Sequence, residues 1–596
     1  QANTEQIKQI IGIAEKDPAS WRNTTLEERH RIMFEAANRL GDMRGDLIGS
    51  MCAVTGKTVV EGDVEVSEGI DYARFYTTTM KKFAALHDVD ITSKGTILVI
   101  SPWNFPCAIP IGGIVAGLAG GNTVILKPAT VAAPVAWLFA KAFWDAGVPK
   151  EALQVIITDR EALKELTTAP AIKHIILTGG TDTAQSIARI NPSTPLSAET
   201  GGKNAIILTA SGDRDHAIMN IVTSAFGNAG QKCSACSLLL VERSVYEDKN
   251  FQDKLKDAAT SIKVGSVWEA GNVVGPMITN RNDKLLQALT LEPGESWLVP
   301  PKFIDEKQYI LAPTVKWGVK PGSYSFRTEL FGPMLSVACI DNLQQGIELV
   351  NSLDYGLTSG LQSLDENEQK LWKDSILAGN LYINRGITGA IVNRQPFGGM
   401  KLSAFGGGVK AGGPNYCACL VKITDKPESN TDYKQSYPHA YEEEFAHARD
   451  INKLYGEQNA FRYLPLKNMV LRLFPGDSNE EAEMIALATK LCHTPLTISF
   501  DPNDDRTTAL SSTGCTLKKE TLDEFLKTMR SYERIRTCGA DIPMEMYEEA
   551  ARRNKYIATA KPVKNGRVEL IHYIKEQSIS FEFHRYGSIL DVPPVE

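Results

Sequence analysis

The hydrophobic pattern changes period along the chain. Between residues 5 and 50 the apolar positions recur at helical spacing. The stretch TTLEERHRIMFEAANRL offers Thr24 or Thr25 as a cap, carries Glu27 and Glu28 in its first turn, and predicts an amphipathic helix. After Gly95 short, nearly continuous apolar runs take over. TILVIS, NTVILKPA, LQVIIT and HIILTGG read as strands, each followed by a helical stretch. Such strands are buried on both faces, which predicts a parallel sheet and an α/β fold. A second α/β region starts near residue 200, with NAIILT and SLLLVE as strands. Residues 393–414 are so rich in glycine that irregular backbone is expected there. Residues 424–447 are polar and read as a linker. Strand and helix patterns then alternate again, through NMVLRLFP, NEEAEMIALATKLC, LTISFDP, KETLDEFLKTM and RIRTCG, predicting a smaller α/β domain over 448–596.

Composition narrows the function classes. A chain of 596 residues exceeds what one core supports. A net charge of -7 without a basic stripe argues against a nucleic-acid partner. No run reaches the roughly 18 apolar residues of a membrane helix, and the first residues lack the pattern of a secretory signal. Ten cysteines are too few for a disulfide scaffold in a chain this long, so a reducing, cytoplasmic setting is expected.

Candidate chemistry sits at the strand ends. LTGGTDTA places Gly179 and Gly180 at a strand-to-helix turn, which suits a phosphate but is also an ordinary tight turn. Asn104, between Pro102 and Pro106, is able to aim a rigid amide at developing charge; alone, an Asn in such a loop is a turn residue. Lys127 ends a strand where it can reach a ribose or phosphate, or simply stay solvated. Glu199, before two glycines, reads as a general base or as a surface acid. Cys233 and Cys236 lie three apart in FGNAGQKCSACSLLL. A zinc site needs two more ligands, and the only other close pair, Cys417 and Cys419, has no histidine nearby. A redox dithiol belongs at a strand-to-helix turn, whereas Cys236 leads into a strand. A single nucleophilic cysteine fits better, and no metal is expected.

Taken in chain order, SPWNFP, ILKPA, LTGG, AETGGKNA, GQKCSA, ELFGPML and PFGGMKLSAFG resemble the aldehyde dehydrogenase superfamily over roughly residues 10 to 420. The resemblance implies a Rossmann-like NAD-binding domain at 1–200 with part of 396–423, and an α/β catalytic domain at 201–395. It makes Cys233 the nucleophile and Cys236 a bystander, Asn104 and the Cys233 N–H the oxyanion donors, and Glu199 the base for thioester hydrolysis. Lys127 and Glu329 would hold the two riboses of NAD, Gly179 and Gly180 its phosphates, and Phe331, Ser101, Trp103 and Thr130 further parts of it. YINRGITGAIVNRQPFGG followed by VKAGGPNY narrows the likeness to L-glutamate gamma-semialdehyde (1-pyrroline-5-carboxylate) dehydrogenases. That implies a small-molecule aldehyde gripped by Ser234, Ser403 and Ala404, with Phe105 and Phe397 beside it. GEQNAFRYLPL and GRVELIHYIKEQSISFEFHRYGSIL are similar to the non-catalytic C-terminal extension of bifunctional proline utilization A proteins, in which His572, His584 and Arg585 would be structural. The same likeness implies a homo-oligomer and a flavin-dependent proline dehydrogenase domain upstream on a longer polypeptide, in keeping with a start at Gln1.

Four departures qualify these expectations. The family's first strands are expected to precede Gln1 on a longer polypeptide. Thr130 replaces an acid that repels a 2'-phosphate, which leaves NADP open beside NAD. The loop SAFGGGVKAGGP is longer than the family pattern, with Ala404 where glycine is common. Cys236 stands near the nucleophile, where oxidation would inactivate it. The alternatives are a dehydrogenase of another small semialdehyde and a non-catalytic nucleotide-binding scaffold.

Overall fold

The computed structural model describes residues 1–589 except 280, 281, 308, 540, 586 and 587. Four helices open the chain, Thr4–Lys16, Leu26–Asp42, Arg44–Thr55 and Val59–Ala84. Thr25 caps the second of them by accepting the Glu28 N–H at 3.2 Å.

The chain then builds a six-stranded sheet. Strands Thr96–Ile100, Thr123–Lys127, Leu153–Val155, Ile172–Thr178 and Leu196–Glu199 are parallel, and Ala404–Phe405 adds antiparallel to the last. The register puts Ile100 beside both Lys127 and Leu177, and Thr178 beside Glu199. The ends that carry candidate chemistry therefore fall on one edge of the sheet.

A nine-stranded sheet carries the candidate nucleophile, Cys233, just before one of its strands. Its centre is Asn204–Leu208, Cys236–Glu242, Met334–Ile340, Thr358–Gln362 and Asn380–Ile383, all parallel. Leu238, Leu239, Leu240 and Val241 are fully buried in succession, because helices cover both faces.

The extension departs from the expected separate domain. Strand Ile574–Glu582 pairs parallel with Asn380–Ile383, and Glu457–Pro465 pairs antiparallel with Ile574–Glu582. Both belong to the 448–596 segment yet extend the catalytic sheet. Between them lies a five-stranded parallel sheet, Met469–Arg472, Leu496–Phe500, Thr516–Lys519, Arg534–Arg536 and Tyr556–Ala558. The expected linker at 424–447 is also corrected. It contains the helix Tyr433–Ala440, and Tyr437 is fully buried with its hydroxyl donating to the Val563 carbonyl at 2.7 Å. Aromatic residues spaced four apart among polar ones fix this segment to the body, so polarity alone misread it.

The glycine-rich segment 393–414 is largely irregular, as its composition predicts, but holds the short strands Met400–Lys401 and Ala404–Phe405. Among the three residues expected to be structural, His572 is kept neutral by burial and by Arg536, Arg534 and Lys94. His584 is exposed, and the side chain of Arg585 lies outside the described atoms.

Candidate active site

The nucleophile loop is set by an unusual backbone. Helix Arg214–Phe226 ends in a turn where Asn228, Ala229 and Gly230 all have positive φ, at 52°, 53° and 68°. A Cβ on Gly230 would lie 2.1 Å from the Gly332 carbonyl oxygen, so glycine is required for this approach. The opposing loop holds Phe331, itself left-handed at φ 52°, whose ring meets Trp103 edge-on at 5.8 Å. The chain then presents Cys233 and enters the strand at Cys236.

Cys233 is half-buried, and Cys236 is fully buried in the sheet with its thiol donating to the Leu238 carbonyl. Burial pushes the Cys233 thiol up to about 12, the carboxylates of Glu329 and Glu199 push further, and the N–H groups of Ser234 and Cys233 oppose them. The resting sulfur is thus a thiol that needs a base. Its loop is held by Asn204, whose Nδ2 donates to the Cys233 carbonyl at 2.7 Å and to the Ala235 carbonyl at 3.0 Å. Asn204 Oδ1 accepts the Thr358 N–H at 3.0 Å. Sequence reasoning passed over Asn204; the signal available was a polar residue opening an otherwise apolar strand.

Asn104 is 6% exposed, and its Nδ2 donates to the Gln231 carbonyl at 3.0 Å, two residues before the nucleophile. That leaves the second amide hydrogen for another acceptor. The loop is anchored from below. Glu65 Oε1 accepts the N–H groups of Cys107 at 2.7 Å and Ala108 at 3.1 Å, at the start of helix Ala108–Ala119. Lys57 pairs with Glu65 at 3.0 Å, both at most 1% exposed, and lies 3.9 Å over the Phe105 ring. Removing one member of such a buried pair costs about 3–5 kcal/mol.

Glu199 ends its strand facing the glycine-rich loop, and its Oε2 accepts the Gly399 N–H at 3.1 Å. Burial raises its carboxyl to about 8, while the Lys410 ammonium and the Gly399 N–H hold it down. Glu329 Oε1 accepts the Gly202 N–H at 2.8 Å, and a Cβ on Gly201 would sit 2.2 Å from Glu329 Oε2. The two glycines after Glu199 are what let that carboxylate approach.

On the cofactor side, the Ser101 hydroxyl is buried without a hydrogen-bond partner among the described residues. Lys127 is half-buried at its strand end, and burial lowers its proton affinity. Gly180 precedes helix Thr181–Ile190, which no side chain caps, and open space surrounds the position of a Cβ there. An unpaired hydroxyl, a half-buried cation and an open helix N-terminus on one sheet edge form a donor set suited to a dinucleotide. Thr130 is exposed.

The substrate positions divide. Ser234 is 4% exposed and adjoins the nucleophile, and Phe105 and Phe397 are half-buried. Ser403 is fully buried, with its Oγ accepting the Gly356 N–H at 3.1 Å and its carbonyl accepting the Thr200 N–H at 2.9 Å. Ala404 pairs with Glu199 across the sheet. Both therefore brace the strand of Glu199, and the Ser403 hydroxyl is turned inward instead of toward a substrate, which corrects the expectation for that residue; Ala404 stays half-exposed. The segment Thr388–Ala390 is half-exposed, and its N–H groups have no partner among the described residues. Tyr382, close enough to Cys233 for their charges to interact, donates to the Gly389 carbonyl at 2.6 Å. Glycine and small residues in RGITGAI were the signal for this loop.

The chain belongs to the aldehyde dehydrogenase family, whose model matches residues 1–424. Among curated relatives, the 1-pyrroline-5-carboxylate dehydrogenase of Geobacillus sp. (strain WCH70) is 33% identical over 439 residues, covering 70% of this chain and 84% of that protein. Among solved structures, 1-pyrroline-5-carboxylate dehydrogenase from Thermus with bound NAD is 31% identical, with TM-score 0.67, and covers 71% of this chain and 86% of that one. Proline Utilization A from Corynebacterium freiburgense is 36% identical with TM-score 0.87, and covers 98% of this chain. The present chain spans 60% of that protein's length.

Proposed function

We propose that the chain oxidises L-glutamate gamma-semialdehyde to L-glutamate with NAD, in proline catabolism. The observation that carries this is the half-buried Cys233 thiol set within electrostatic reach of two half-buried carboxylates, Glu199 and Glu329. The names of the relatives support the substrate, and the unpaired N–H groups of Thr388, Gly389 and Ala390 supply donors for a carboxylate head.

The thiol proton must leave before sulfur attacks, because burial holds Cys233 protonated at neutral pH. Sulfur then bonds to the aldehyde carbon, and the oxygen of the resulting thiohemiacetal is met by the second Asn104 amide hydrogen and the Cys233 N–H. Donors aimed at charge that forms only during reaction lower the barrier. NAD, when bound, supplies the hydride acceptor, with Lys127, Ser101 and Gly180 as its holders. The acyl group remaining on Cys233 is a thioester, and Glu199 takes the proton of the water that attacks it. Thr130 neither attracts nor repels a 2'-phosphate, so NADP is the second cofactor to assay.

The same reading places the chain in the cytoplasm, where its ten unpaired cysteines stay reduced. It also makes the chain the aldehyde-oxidising part of a polypeptide that carries a proline dehydrogenase. What supports this is the alignment of 98% of the chain with 60% of the Corynebacterium protein. The test follows reduced cofactor formation with glutamate semialdehyde, succinate semialdehyde and propanal, each with NAD and NADP. Preference for glutamate semialdehyde with NAD is expected. Equal or faster turnover of the other aldehydes would discard the substrate and keep the cysteine chemistry.

A further inference from the structure

Behind Glu199 lies a row of buried charges that the reaction derived above does not use. Lys410 is 1% exposed. Its ammonium donates to Asn380 Oδ1 at 2.8 Å and to the Gly398 carbonyl. Asn380 Oδ1 also accepts the Gly398 N–H at 3.2 Å. The next residue, Gly399, gives its N–H to Glu199. The ammonium thus fixes the peptide that fixes the base. On its other side the Lys410 N–H donates to Glu576 Oε2 at 2.6 Å. Glu576 is 4% exposed, and its Oε1 accepts from Asn415 Nδ2 at 2.7 Å. Asn415 Oδ1 in turn accepts from Arg567 at 2.8 Å. Glu576 stands in strand Ile574–Glu582, which the extension contributes to the catalytic sheet.

A buried ammonium stays charged only where carboxylates compensate the loss of water. Burial lowers the proton affinity of Lys410, and the charges of Glu199 and Glu576 restore it. The Lys410 charge in turn draws the Glu199 carboxyl down. The other groups facing Glu199 are Cys233 on the nucleophile loop, Tyr72 on helix Val59–Ala84 and Tyr416; burial holds both tyrosines neutral. Those facing Glu576 are Lys410, Arg567, Tyr463 and Cys419. Lys410 is therefore the one cation shared by the two carboxylates among the described residues.

We propose that Glu576, a residue of the C-terminal extension, is a positioning residue for the catalytic base: it holds the Lys410 backbone in place, and Lys410 orients the Gly398–Gly399 peptide and sets a positive charge beside Glu199. The inference rests on Glu199 being the base. It gives the extension a part in the chemistry without contact with substrate.

The test uses the full chain. Glu576→Gln keeps hydrogen-bonding atoms and removes the charge. The acidic limb of kcat is expected to move to higher pH, with kcat near neutrality falling about tenfold per unit of movement. The rate should recover in alkaline buffer, and KM for the aldehyde should stay put. Glu576→Asp should restore the limb, and Lys410→Met should move it at least as far. A fall by one factor at every pH, or an unmoved limb in both Glu576→Gln and Lys410→Met, overturns the proposal. If Glu576→Gln does not fold, Asn415→Ala is read instead; it withdraws one hydrogen bond from Glu576, and a smaller shift in the same direction is expected, while none overturns the proposal. Infrared difference titration, with Glu199→Gln as the reference, reads the Glu199 carboxyl without substrate. A chain that oxidises no aldehyde but shows this carboxyl shifting in Glu576→Gln fails the functional reading alone. An active chain whose Glu199 titration ignores Glu576→Gln fails this inference alone.

Discussion

Two sheets of this molecule share one topology and differ in what their strand ends leave free. The parallel strands between Thr96 and Glu199 run in the spatial order third, second, first, fourth, fifth, and so do those between Met469 and Ala558. In the first sheet the Ser101 hydroxyl is unpartnered, Lys127 is half-buried at its strand end, and helix Thr181–Ile190 has no side-chain cap. In the second sheet helix Met544–Arg552, which follows the fourth strand as Thr181–Ile190 does, also lacks a side-chain cap, but the polar groups at the end of the first strand are bonded internally. Arg472 donates to Ser499 Oγ at 2.8 Å and to the Glu520 carbonyl at 2.9 Å. Helix Asn479–Leu491 is closed by a capping box of Ser478 and Glu481. Asp477, Glu481 and Cys538 crowd that end, their ligand atoms within 4.8 Å of one another, where an anion would be repelled. Topology offers a place for a dinucleotide, but donors left over are what make the site.

The widest gap is expected between the two thiols. Cys233→Ala should reduce turnover to background with the melting temperature retained, because in the proposed reaction the half-buried sulfur forms the covalent bond. Cys538→Ala, just past a strand end of the second sheet, should leave turnover intact. Loss of turnover in both would break the comparison. Next come the groups around the nucleophile. Glu199→Gln should lower kcat by about 10²–10⁴-fold, and Asn104→Ala by about 10²–10³-fold, both read by steady-state kinetics. The pH dependence has a definite sign. As the proposed base Glu199 must be ionised, and burial has raised it to about 8, so kcat should climb with pH through that value. A kcat flat from acid to alkali would remove Glu199 as the base.

A smaller contrast concerns the cations. A hydrogen bond to a charged group contributes about 1.5–3 kcal/mol, so Lys127→Met should raise KM for the dinucleotide about tenfold or more. Arg472→Met should leave that KM unchanged and lower the melting temperature, because Arg472 is 2% exposed and serves only its own sheet. A dinucleotide KM that responds equally to both would show that the second sheet takes part in binding.

How much of this was legible in the chain depends on range. The strands, most helices and the irregular loop before Cys233 were readable, since apolar runs, Thr25 and the glycines near Cys233 are local signals. The extension was misplaced because Ile574–Glu582 joins Asn380–Ile383 by a pairing some two hundred residues apart, and no local pattern sets that register. Ser403 was misread for the same reason. Its glycine-rich surroundings announce a loop, while its place is decided by the distant strand Leu196–Glu199. Lys410 and Glu576 gave no warning, because a charged residue becomes a buried partner only when remote strands enclose it.

The smallest effects make the most searching test, because they ask whether the two helix N-termini can be exchanged in character. Gly180 has extended backbone, at φ -69° and ψ 146°, with open space around a Cβ, so Gly180→Ser fits without strain. Its hydroxyl should cap helix Thr181–Ile190, raise the melting temperature slightly and weaken dinucleotide binding, since the N–H groups it takes are those a phosphate would use. Ser478→Ala performs the reverse operation on the second sheet. It should cost about 1 kcal/mol of stability, read by denaturant unfolding, and create no dinucleotide site, because Asp477 and Glu481 remain at that helix end. Binding that appears on Ser478→Ala would mean that a cap alone separates a silent sheet from a working one. Continued silence places the difference in charge, which a single cap cannot reverse.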